Sequence, residues 1–113
     1  MRRDIEAVSI LASVLGQGSK LAVETQTLTG TLTLTTSSSP LQSHDCGGAG
    51  RTVLLPAEAD SKGMFFAFGN WSDAAETLTV KEDSNTTTII TVAQAKGGIV
   101  WCDGVQWRGI VSA

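Results

Sequence analysis

The sequence predicts an all-β fold: a small antiparallel β-sandwich, jelly roll or barrel of about eight short strands, with an N-terminal arm or short helix ahead of it. Three observations carry that prediction. Thr, Val, Ile and Leu are abundant, and the β-branched ones among them favour a pleated surface. Apolar and polar residues alternate with period two in several segments. Gly, Pro, Asn, Asp and Ser clusters punctuate those segments at near-regular intervals.

Residues 4–15 form the only helical pattern. Ile5, Val8, Ala12 and Leu15 fall on one face, with Leu11 beside it, and Gly16 and Gly18 end the run. Such a segment is either a short helix packed on the domain or an arm packed on a neighbour. From Leu21 onward the pattern is β. Leu28, Leu32 and Leu34 alternate with threonines, and Gly30 interrupts the run at a candidate bulge. Residues 37–40 break it, and residues 44–50 read as a glycine turn. Residues 51–55 read as a buried strand stopped by Pro56.

Residues 57–63 form a polar loop, and residues 64–68 a strongly apolar strand ended by Gly69 and Asn70. Leu78 and Val80 face one way across residues 76–82, with Thr77, Thr79 and Lys81 opposite. Asp83, Ser84 and Asn85 turn the chain into residues 86–92. Lys96, Gly97 and Gly98 turn it into residues 99–102. Asp103 and Gly104 are the expected centre of a type I′ hairpin turn, and residues 105–111 form the last strand. The expected division is an arm over residues 1–27 and a β-domain over residues 28–113.

The chain has 113 residues and a net charge of −3, which fits one domain with a modest core. No basic cluster exists beyond Arg2 and Arg3, so nucleic acid is not an expected partner. No run approaches the roughly 20 apolar residues of a bilayer-spanning helix, so no membrane partner is expected. Asp4 and Glu6 interrupt the basic start, and no clean small-x-small cleavage site follows, which argues against a signal peptide. Charged residues make up only 17%. Either partners cover part of the surface, or Thr and Ser coat it. Cys46 and Cys102 form no disulfide framework; they are either buried free thiols or a single bridge.

Each cluster that suggests chemistry has a structural alternative. His44, Asp45 and Cys46 offer a nucleophile beside a base. However, adjacent residues point in different directions, and the chain has one histidine. The run of glycines and alanine at 47–50 lacks the Lys-Ser/Thr of a phosphate loop. The segment at 83–85 lacks calcium-loop spacing. No catalytic residue, cofactor or metal site is therefore expected. The Asn70 and Asn85 sequons read as accidental. Trp101 and Trp107 flank the last turn, where they could pack across the hairpin. Trp71 sits in a polar segment and is a candidate interface anchor.

Several elements together resemble small β-modules of tailed bacteriophages. These are the VLLP segment ending at Pro56, the KGMFFAFGN strand of residues 62–70, TLTV at 77–80, the Thr-rich strand at 86–92 and the WCDGVQW hairpin of residues 101–107. The resemblance spans residues 28–110. It implies a non-enzymatic virion protein, a capsid decoration (cement) protein acting as a homotrimer on the head surface, with the major capsid protein as partner. As the alternative, it implies a fibre or tail-tip receptor-binding or trimerisation module. In decoration proteins such an N-terminal segment commonly serves as a capsid-contacting arm. On that reading Ile5, Val8, Leu11 and Leu15 are the expected capsid-contacting residues.

Overall fold

The computed structural model describes residues 20–113. The alternating patterns are realised as nine strands among the described residues: β1 Val23–Thr27, β2 Leu32–Thr33, β3 Leu41–Asp45, β4 Arg51–Leu54, β5 Phe65–Asn70, β6 Leu78–Lys81, β7 Thr88–Val92, β8 Gly97–Cys102 and β9 Trp107–Val111. One short 3₁₀ turn, Glu58–Asp60, lies in the expected polar loop. The helical pattern at residues 4–15, with Ile5, Val8, Leu11 and Leu15, lies outside the described residues. The first sheet begins at Val23, within the expected arm.

The strands form two sheets packed as a sandwich. The first has the order β1-β3-β5-β8-β9 and the second β2-β4-β6-β7. Both are mixed, which corrects the expected antiparallel arrangement. β1, β3 and β5 are parallel neighbours, and so are β2, β4 and β6. Only the last strands reverse direction: β7 against β6, β8 against β5, and β9 against β8. The first six strands alternate between sheets, so the chain coils. Parallel neighbours cannot be joined by a tight turn and need a crossover. Here each crossover is the strand in the opposite sheet. A Gly- or Pro-marked corner looks the same in sequence whether the chain reverses or turns into the other layer.

The same coiling explains two local differences. The Thr-rich run at 27–35 is not one strand with a bulge at Gly30. It is the end of β1, a corner, and β2 in the other sheet. At the last hairpin, the Asp103 N–H donates to the Gln106 carbonyl at 3.2 Å. Gly104 and Val105 are therefore the central pair, one residue later than expected. Only Gly104 of that pair has positive φ, at 95°, the glycine-first pattern of a type II′ turn.

The core lies between the sheets. Phe66, Phe68, Val100 and Trp107 project into it from the first sheet, and Val53, Leu78, Val80 and Val92 from the second. Cβ alternation places every second residue inward, so Phe66 and Phe68 are buried while Phe65 and Ala67 are half-buried on the outside. Gly109 lets the sheets close where β9 crosses β7. A Cβ there would stand 2.5 Å from Ile90 Cγ2.

Candidate functional site

Two features stand apart from an ordinary sandwich: a buried polar ladder inside β3, and an apolar row across the outer face of the first sheet. β3 is inverted in polarity. Gln42 and His44 point into the core, while Leu41, Ser43 and Asp45 point outward. The sequence pattern therefore hid this strand, and residues 44–45 were expected in a turn.

The inward groups satisfy one another. The Gln26 backbone N–H donates to His44 Nδ1 at 3.1 Å. His44 Nε2 must then carry the proton, and it faces Gln42 Oε1 at 2.8 Å. Gln42 Nε2 donates to the Ser39 carbonyl at 2.7 Å and to Glu24 Oε1 at 3.2 Å. The Gln26 side-chain amide also donates to Glu24. Both imidazole nitrogens are thus committed, Nδ1 to β1 and Nε2 to Gln42 within β3. Cys46 Sγ lies instead near Asn70 Oδ1, at 3.9 Å. His44, Asp45 and Cys46 are not brought together as a nucleophile and base.

Burial holds the His44 pKa below its ordinary value of 6.5, against the pull of the Glu24 charge. A depressed histidine pKa stabilises the fold fully above the unfolded value and less as pH falls. Protonation would also set an N–H of His44 against the Gln26 N–H. Denaturant midpoints should therefore decline as pH falls below about 6.5, no more steeply than about 1.4 kcal/mol per pH unit for one proton. His44 is the only histidine, so His44→Gln should flatten the curve between pH 6.5 and 5. An unchanged curve in that variant would refute the assignment.

Among the described residues, two sets of carboxylates gather closely enough to hold a cation. Asp45, Asp73 and Glu76 form one, and Glu58, Glu82 and Asp83 the other, each with ligand atoms within 4.8 Å. In the second, Glu82 is already occupied. It accepts from the Ser84 hydroxyl at 2.5 Å, the Ser84 N–H at 2.9 Å and the Thr86 N–H at 2.8 Å. These bonds hold its carboxyl well below the usual range, Ser84 foremost. Its role is to lock the β6–β7 turn, where Asn85 adopts a φ of 64°. In the first set, Asp45 accepts from the Gly47 N–H at 2.9 Å, and Glu76 Oε1 is buried without a hydrogen-bond partner. Acidic proximity alone does not make this a metal site.

The outer face of the first sheet is different. Register aligns Val23, Leu41, Ala67, Ile99 and Ile110 in one row across all five strands. Val23 is 56%, Ile99 44% and Ile110 63% exposed. Phe65 and Trp101 form an adjacent pair in the next row, and Trp101 is 41% exposed. A groove of about 430 Å³ opens beside the row on the side away from Trp101, lined by Ala67, Gly97, Gly98, Ile99, Ile110 and Ser112. The groove exists because Ala67 and Gly97 put little or no side chain on this face; Gly98 lines it with backbone alone, since a Cβ there would face the core, 2.8 Å from Ile90 Cδ1.

Trp71, the one expected interface residue within the described region, is 62% exposed. Its indole lies against Gly69, where a Cβ would stand 2.7 Å from Nε1. Gly69 is outward-facing on β5, so Trp71 shares this face. Trp101 and Trp107 do not pack on each other. Adjacent registers place Trp101 outward and Trp107 inward. Sequence reading missed the row, because its members lie on five strands and only the strand order brings them together.

Asn70 carries a sequon but is fully buried, so its amide is unavailable for modification in the folded chain. Cys46 and Cys102 are both buried and free. Comparison with protein-family models, curated proteins and solved structures finds no match to this chain.

Proposed function

We propose that the chain is a structural virion subunit, a capsid decoration protein that binds the outside of a bacteriophage head and performs no chemical step. The observation that carries the reading is the apolar row across the outer face of the first sheet. Proteins that act alone rarely expose contiguous apolar patches beyond a few hundred Å², and a sheet face of this kind is stabilised by covering it. The resemblance to phage β-modules supplies the setting, including the trimeric state and the major capsid protein as partner. On this reading the segment ahead of β1, with Ile5, Val8, Leu11 and Leu15, grips the capsid. The β-body with Trp71 contacts neighbouring subunits.

The test is a binding and imaging experiment with intact particles. Purified chain added to heads lacking it should co-sediment with them. Cryo-EM should show repeated density on the outer shell. A truncation lacking residues 1–19 should keep the β circular-dichroism spectrum and lose at least about tenfold in capsid affinity, equivalent to about 1.4 kcal/mol. Density confined to the tail tip would replace this reading with the receptor-binding one. Full capsid binding by the truncation would remove the arm from it.

A further inference from the structure

We infer that the outer face of the first sheet is a contact between copies of this chain, with the row Val23, Leu41, Ala67, Ile99 and Ile110 as its centre. The inference rests on the reading of the chain as a self-associating subunit and assigns the surface that reading leaves open. The first argument is shape. The face carries both halves of a knob-and-socket contact. Its socket is the groove of about 430 Å³ floored by Ala67, Gly97 and Gly98. Its knobs are the exposed side chains of Ile99, Ile110 and Trp101. A second copy supplies the knob for each socket, and no other chemistry is required to fill it.

The second argument is polarity. Outward positions of the five strands are apolar, Gly, Ser or Thr except at two ends, Asp45 on β3 and Arg108 on β9. Arg108 already faces Asp103, at 3.8 Å. Between those ends the face offers neither charge nor a line of donors, so a nucleic acid or a charged peptide would find nothing to pair with. An equally uncharged face fits it. Interfaces of this kind concentrate aromatic and aliphatic groups at the centre and polar groups at the rim, the distribution seen here.

The third argument is extent. Five strands at about 4.8 Å spacing make a face about 19 Å across. With three outward rows about 7 Å apart, the face covers roughly 400 Å² per partner, which places a contact between two copies at the small, readily dissociating end of specific interfaces. Covering it also removes the row from water, which favours association in proportion to the apolar area buried.

The experiment is light scattering on size-separated protein, using the full chain and two charge insertions. The full chain should elute at a multiple of 11.8 kDa at micromolar concentration. Ile99→Glu and Ile110→Glu each place a carboxylate in the row at an exposed position. Each should fall to the single-chain mass with its β spectrum retained. Thr91→Glu, exposed on β7 of the other sheet, should keep the oligomer. A full chain that stays at single-chain mass up to high micromolar concentration overturns self-association itself. Folded glutamate variants that keep the oligomer overturn only the assignment of this face. Two substitutions on different strands guard against one that disturbs folding.

Discussion

Replacing Trp107 with alanine is expected to destabilise the domain by about 4 kcal/mol and to lower its melting temperature by about 16 °C at about 4 °C per kcal/mol. Trp107 is 1% exposed and is the largest side chain in the core. Its ring meets Phe66 at a centroid distance of 5.9 Å, tilted by 32°. Its Nε1–H donates to the Pro56 carbonyl at 2.9 Å, which ties β9 to the segment leaving β4. Truncation leaves a cavity between the sheets and strands that buried carbonyl. The two losses can be separated. Trp107→Phe keeps much of the ring but removes the donor, and should cost about 1–3 kcal/mol. Trp101→Ala is the internal control. It lies on the same hairpin with the side chain outside, and should change the melting temperature of the dissociated chain little, as surface substitutions do. Urea denaturation followed by tryptophan fluorescence would measure all three. A loss from Trp101→Ala equal to that from Trp107→Ala would show that the inward and outward assignments are wrong.

Much of the sandwich was legible because most inward positions are apolar. Leu78 and Val80 announce β6, the apolar run beginning at Met64 announces β5, and Pro56 marks the corner after β4. The parallel coil was not legible. Period two reports which face a residue occupies, and says nothing about which strand lies alongside or in which direction. Nor was β3 legible, because its buried face is made of Gln42 and His44. Those residues read as exposed until their partners, Gln26, Glu24 and the Ser39 carbonyl, are in place. Trp71 was legible as an exposed aromatic because it follows a strand end and precedes Ser72 and Asp73. The apolar row was not, since it exists only across strands distant in sequence.

Asn70 shows the same limit from the other side, and its removal is the second large effect expected. The sequence presents it as the end of a strand and the start of a sequon. In the fold it is the polar staple between the two sheets. Its amide donates to the Glu76 carbonyl at 2.8 Å and to the Val92 carbonyl of β7 at 2.9 Å. Its Oδ1 accepts from the Ser72 hydroxyl at 2.6 Å and the Ser72 N–H at 3.1 Å. The Ser72 hydroxyl in turn accepts the Cys46 N–H at 2.9 Å. One side chain thus satisfies groups from the β5 end, the loop before β6, and β7. Asn70→Ala orphans two carbonyls and unseats Ser72. At about 1–3 kcal/mol for each buried group left unsatisfied, the expected loss is about 3 kcal/mol, or about 12 °C in melting temperature. Asn70→Asp is the sharper test, because it keeps shape and the acceptor for Ser72 while deleting both donors. Carboxylate oxygens would then face two carbonyls in a buried site. That variant should be at least as unstable as the alanine and should recover partly on acidification, when a protonated carboxyl can donate again. Recovery must be read against the acid-dependent loss from His44, so the comparison belongs in a His44→Gln background. An Asn70→Asp chain as stable as the parent at pH 7 would mean that the two sheets are not joined through this amide.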